Sequence, residues 1–215
     1  INENVFNFGE NSIFFNSYIE SLPNNLNNLS DIYSLKIKNI VKNKISTDKT
    51  LTNYVYTPFI LNNIKDSKII FTFRHPLDNL LSMYRAKFST GNEYSSCIIS
   101  STKVLLNHLK IMDNYKNYFN DEIYFLNYDH LVNNPKKYIK TLTKWLDWEW
   151  DEKFLKPELN SQAFSTASIT EVRSAISNKS VGSWKNYQDL LKPAQDYLQN
   201  KIQEIPNYFK DQFYI

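Results

Sequence analysis

The sequence predicts an α/β domain with a largely parallel sheet. Three observations lead there. Short apolar strands alternate with amphipathic helical stretches, the clearest strand runs directly into a proline-initiated helix, and no internal repeat or long linker divides the chain. At 215 residues, 42% hydrophobic and 15% aromatic, the chain suits one globular domain spanning residues 1–215, with a sizeable core.

The elements follow in order. Val5 to Phe8 reads as a short strand, and Gly9-Glu10 opens an amphipathic helix through about Glu20. Pro23 and the surrounding asparagines break it. A second helix is expected from Ser30 to Lys44, with Ser30 or Asp31 as its cap, and a third from Thr52 to Ile64. Lys68 to Phe73 is β-branched and aromatic and reads as a core strand. Arg74-His75-Pro76 follows at once, and proline fits the first turn of a helix because its missing N–H has no partner to lose there. Leu77, Leu80, Leu81, Tyr84 and Phe88 keep helical spacing. A long helix is expected from Ser95 to Tyr118, a second core strand from Glu122 to Tyr128, and a helix from Pro135 to Leu146. The polar stretch from Asp151 to Val181 is too long for an ordinary connection and is a candidate lid. A last helix is expected over Pro193 to Gln203.

Charge and cysteine content narrow the function classes. The net charge of +3 carries no polybasic footprint for nucleic acid or a membrane surface, and no run approaches the roughly 18 apolar residues of a membrane span. The single cysteine, Cys97, forms no internal disulfide and builds no zinc site alone. It fits a reducing, cytoplasmic setting and reads as a core residue of Cys97-Ile98-Ile99. His75, His108 and His130 are scattered and read as surface or boundary residues, so no metal constellation is expected.

Arginine is scarce, with only Arg74, Arg85 and Arg173, although lysine is abundant. A planar guanidinium grips a phosphate with two parallel donors, which lysine cannot do, so each arginine stands out. Arg74 lies at the carboxyl end of a strand, where open parallel sheets bind ligands. Ser82 lies two helical turns on, about 12 Å along the axis. The residues alone leave two readings open: a phosphate spanned by Arg74 and Ser82, or an Arg74–Asp78 cap with Ser82 a surface serine. Likewise Tyr128 reads either as a stacking partner for a base or as a core tyrosine at a strand end.

The run KIIFTFRHPLDNLLSMYRAKF resembles the 3′-phosphate-binding segment of sulfotransferases, in which an arginine after a core strand and a serine eight residues later hold the nucleotide. FLNYDHLVNNPKKYIKTLTKWLDW resembles the family's strand, loop and helix whose tyrosine approaches the adenine, although His130 stands where an acidic residue is usual. STASITEVRSAISNKSVGSWKNY resembles the C-terminal element of repeat-bearing bacterial sulfotransferases and the RKGxxGDWK element of the cytosolic enzymes. Asn178 and Lys179 there replace the paired basic residues. VFNFGENSIFF resembles the GE element of the protein-tyrosine and repeat-bearing enzymes, and STDKTLTNYVY resembles the lysine-containing element that faces the transferring group.

The resemblance implies a three-layer domain like the P-loop NTPases, with a central, mostly parallel sheet flanked by helices. It implies 3′-phosphoadenosine 5′-phosphosulfate (PAPS) as donor, PAP as product, and a small-molecule, glycan or peptide acceptor. It assigns nucleotide binding to Arg74, Ser82, Tyr128, Lys179, Ser180, Gly182, Trp184 and Lys185. Glu10 becomes the general base, with Lys49 and Ser168 near the bridging oxygen.

The family cradles the 5′-phosphosulfate in a glycine-containing loop at a helix N-terminus. Glycine occurs here only at Gly9, Gly91 and Gly182, none in such a setting, so the loop is expected upstream of Ile1. Two further readings stay open: a remnant that binds PAP without transfer, and a nucleoside or small-molecule kinase. The kinase needs a GxxxxGK[ST] loop and an acidic magnesium ligand, neither visible here.

Overall fold

The computed structural model describes residues 5–7, 17–18, 20–22, 28–40, 45–86, 88, 92–159 and 174–211. Its architecture is α/β. The chain forms two compact units interleaved in sequence, one from residues 1–69 and 135–176, the other from residues 70–134 and 177–215.

In the first unit, β1 (Val5–Asn7) and β2 (Ile45–Thr47) pair in parallel, with Val5 opposite Ile45 and Asn7 opposite Thr47. Helix α1 (Leu29–Ile40) begins one residue before the expected cap at Ser30, so Asp31 falls in its first turn, where a carboxylate suits the helix dipole. A 3-10 turn at Asn53–Tyr56 leads into α2 (Thr57–Asn63), with Pro58 near its start. Leu29 and Ile60 form the buried centre, with Tyr18, Tyr33, Tyr56, Ile64 and Ile69 around them. Helix α6 (Pro135–Trp145) belongs to this unit, and Lys68 donates to the Trp145 carbonyl at its end. Of the helix expected over Gly9 to Glu20, Ser17, Tyr18 and Glu20 are helical; residues 9–16 and 19 lie outside the described residues.

Among the described residues, the second unit holds the larger core. β3 (Ile69–Phe73) pairs with β4 (Ile123–Asn127). Along β3, Ile70 and Thr72 are exposed while Phe71 and Phe73 turn inward, the two-residue alternation of a strand with one face covered. Helix α3 (Pro76–Ala86) buries Leu77, Leu80 and Leu81, at the i, i+3, i+4 spacing of one helix face. Tyr84 and Phe88 do not extend that face: both are exposed, and the helix ends at Ala86. Helix α4 (Ile98–Tyr118) adds Leu105, Leu106, Leu109 and Met112. Helix α5 (Tyr128–Asn133) follows β4 directly.

Two expectations are corrected in this unit. Cys97 is exposed, not core: it caps α4 in extended conformation, one turn before the buried face begins at Ser101. Hydrogen bonds from Ser100 hold its thiol below the ordinary cysteine value. The last long helix, α7 (Gln188–Asn200), starts five residues before Pro193, which sits inside it. An internal proline costs about 3 kcal/mol. Leu191, Ala194 and Leu198 are fully buried along that helix, and each leucine alone is worth about 1.5–3 kcal/mol of burial, so packing outweighs the break. A short helix α8 (Asn207–Lys210) then delivers Phe209 into the core against Phe71, Phe73 and Phe125, with ring centroids 5.0–6.3 Å apart. Among the described residues, no helix is long and apolar enough to cross a membrane.

Candidate nucleotide site

The site is built at adjoining strand ends. β3 ends at Phe73 and β4 at Asn127, and the residues that follow them meet, with Arg74 against Tyr128 and Asp129. Each strand passes straight into a helix. Pro76 opens α3, and the Asn127 side chain caps α5 by accepting from the His130 N–H at 3.1 Å. Tyr128 is therefore the first residue of a helix rather than the last of a strand.

Arg74 is half-buried, and its guanidinium lies over the Tyr128 ring, 5.2 Å from the centroid. Its Nη2 donates to the Ser180 carbonyl at 2.9 Å. Asp78 Oδ2 lies 3.8 Å from Nη2 and Asp129 Oδ1 lies 3.9 Å from Nε. Both distances allow ion pairing but exceed hydrogen-bond range. The buried Nε of Arg74 and Oδ1 of Asp129 accordingly have no hydrogen-bond partner. Asp129 uses its other oxygen to accept from the His75 backbone N–H at 2.6 Å.

The loop from Ser177 to Lys185 closes on this corner. Gly182 donates its N–H to Asp78 Oδ2 at 2.7 Å, and Trp184 donates its N–H to Asp78 Oδ1 at 2.9 Å. Gly182 has φ +75°, a left-handed conformation in which any side chain would be strained. The Trp184 ring stacks on His75 with centroids 5.2 Å apart and planes 6° from parallel. At the loop's other end, Asn178 donates to the Asn133 side chain at 2.9 Å.

Of the residues singled out in the sequence, the fold brings Arg74, Tyr128, Ser180, Gly182 and Trp184 together. Exposed Lys179 and Lys185 lie on the same loop, and exposed Ser82 lies on α3. Lys49 is exposed in the first unit. Glu10 and Ser168 lie outside the described residues. The Arg74–Asp78 pair, one of the two readings left open, is present, together with contacts the sequence did not disclose. Asp78 as a loop anchor, Asp129 beside the guanidinium and His75 beneath Trp184 were all missed. The only local signal was an acid four residues after Arg74; the partners of Asp78 lie over a hundred residues away.

Arginine at a strand end, an aromatic ring beside it and a glycine-containing basic loop above it suit a phosphate-bearing nucleotide. The fold is that of a sulfotransferase domain. The structure matches the sulfotransferase domain from the curacin biosynthetic pathway with a TM-score of 0.58, over 90% of this chain and 78% of that one, at 17% identity. A model of the sulfotransferase family matches residues 14–152, well over half the sequence, and the chain belongs to that family. The matched range includes Lys49, Arg74, Ser82 and Tyr128. An uncharacterized protein of Aquifex aeolicus is 27% identical over 161 residues, which cover 74% of this chain. The chain spans about a fifth (21%) of that relative's length.

Proposed function

We propose that this chain binds the 3′-phosphoadenosine part of PAPS and belongs to an enzyme that transfers the sulfuryl group to a hydroxyl or phenol. The observation that carries the reading is Arg74: a half-buried guanidinium at a strand end whose Nε–H has no acceptor, although two carboxylates lie just beyond hydrogen-bond reach. A buried donor without a partner costs free energy, and an anion reaching that nitrogen would recover it.

In this reading Arg74 and Ser82 hold the 3′-phosphate. Lys179 and Lys185 supply the positive charge that offsets Asp78 and Asp129 beside Arg74. Tyr128, already lying under the guanidinium, offers its ring edge to the base. PAPS supplies a sulfuryl group whose transfer leaves PAP behind and releases the acceptor's proton. Glu10 is the candidate to take that proton, and Lys49 and Ser168 are the candidates to steady charge on the departing oxygen. The acceptor is a small molecule, glycan or peptide, and the compartment is the cytoplasm.

Calorimetric titration of PAP tests the reading. The parent chain should bind, and Arg74→Ala should weaken binding by about 10- to 150-fold, the loss of a charge-assisted phosphate contact. Equal affinity in the two proteins removes Arg74 from the site. Absence of binding by the parent, or preference for ATP with magnesium, overturns the nucleotide assignment. PAP binding without transfer to any acceptor identifies a binding remnant.

A further inference from the structure

We infer that Asp78 is a positioning residue that holds the Lys179–Lys185 loop in its ligand-binding shape before any nucleotide arrives. The inference rests on the nucleotide reading above and extends it to the question of how the loop is organised.

Asp78 is the third residue of α3, only 2% exposed, in a chain position where a carboxylate ordinarily accepts from its own helix N-terminus. Here both oxygens are turned to another segment. One takes the Gly182 N–H at 2.7 Å and the other the Trp184 N–H at 2.9 Å. A buried carboxylate is costly unless its oxygens are satisfied, so these two bonds fix the loop as firmly as the loop satisfies the carboxylate. Arg74 grips the same loop from the other polarity, through the Ser180 carbonyl. Between these two holds the backbone makes the left-handed turn at Gly182.

The consequence is thermodynamic. A loop that is free in the unliganded protein must be ordered on binding, and that ordering subtracts from affinity; a loop already fixed avoids the loss. Asp78 thus acts on the nucleotide through the loop lysines. It carries the same sign of charge as a phosphate and has no direct attraction for one.

Amide hydrogen exchange and PAP titration on the full chain test this together. In the unliganded parent, the Gly182 and Trp184 N–H groups should be protected. Asp78→Asn preserves shape but presents an NH₂ to one of the two donors. It should abolish protection at the amide facing the NH₂ and lower it at the other, while leaving β3 and α4 unchanged, and weaken PAP by about ten- to a hundredfold. Lys185→Ala should weaken PAP in the parent and have little further effect in Asp78→Asn, because two residues acting as one unit are non-additive. Should Asp78→Asn fail to fold, Gly182→Ala strains the same turn with Asp78 intact and should show the same pairing of lost protection and weaker binding.

Protection unchanged in Asp78→Asn overturns the hold itself. Lost protection with undiminished affinity, or additive effects with Lys185→Ala, overturns the positioning role. If the parent does not bind PAP, the nucleotide reading fails, and the exchange data still decide whether Asp78 fixes the loop.

Discussion

Arg74 and Lys49, both basic, are proposed for one chemistry, and the two units hold them in different ways. In the second unit, Arg74 is half-buried between Tyr128, Asp129, Asp78 and the Ser180 carbonyl. In the first, Lys49 is exposed on a loop where Asp48 accepts from Thr50 at 3.4 Å and Asn53 at 3.2 Å. The cores differ in step. A dozen buried residues lie under Arg74, whereas Leu29 and Ile60 form the buried centre described for the first unit. A side chain held at fixed geometry needs a rigid seat, and the core of the second unit gives Arg74 one.

The largest effect that can break this contrast comes from the core beneath Arg74. Phe209 is fully buried among Phe71, Phe73 and Phe125. Phe209→Ala should destabilise the chain by about 3–5 kcal/mol in a denaturant titration, and Leu198→Ala in the same core should cost nearer the upper end of about 2–5 kcal/mol than Ile60→Ala in the first unit. Equal losses for Leu198→Ala and Ile60→Ala would show that the cluster described in the first unit is as firmly packed as the core of the second. Next comes Asn127, whose side chain caps α5 and so sets the start of the Tyr128–Asp129 turn. Asn127→Ala should cost about 0.5–2 kcal/mol of stability, and PAP affinity should fall with it. A stability loss that leaves affinity untouched would mean that Arg74 is seated without help from α5.

The smallest effect belongs to a solvent-facing ion network in the same unit. Hydrogen bonds from Lys110 and then Lys201 hold the Glu204 carboxyl down at about 2, from an ordinary 4.5. A depressed carboxylate stabilises the fold above its unfolded value and loses that contribution as pH falls toward the folded one. The melting-temperature gap between the parent and Glu204→Gln should therefore be widest near neutrality and close as pH drops from 4.5 toward 2. Added salt should shrink it as well. A gap independent of pH would show that the lysines do not act through charge.

Local chemistry was legible in the sequence, and long-range closure was not. β3, the proline start of α3 and the Leu77–Leu80–Leu81 stripe follow from two-residue and helical periodicity, and all three stand in the structure. Arg74 was conspicuous because arginine is scarce here. By contrast, the start of α7 was misplaced because Pro193 outweighed the burial of Leu191 in a local reading. The apolar run Cys97-Ile98-Ile99 reads as core by composition, but its first residue is the exposed cap of α4. The hold of Asp78 on Gly182 and Trp184 was invisible, since nothing in the eleven residues of α3 names a partner 104–106 positions away.

The interleaving of the two units sets an order of assembly. Leu191, Ala194, Leu198, Ile205 and Phe209 complete a core begun by Phe73, Leu77 and Leu80. While the chain emerges from the ribosome, the strand bearing Arg74 is made long before its covering residues exist. Leu105, Leu106 and Leu109 of α4 join Phe73 and the α3 leucines early, but the surface that α7 and α8 cover stays open through the synthesis of residues 135–176, which belong to the other unit. Contacts of such wide sequence separation form slowly and leave partly folded chains prone to stick. The core beneath Arg74 is thus completed only once Phe209 has been made, and a cut before Leu191 leaves Phe73, Leu77 and Leu80 without the side chains of α7 and α8.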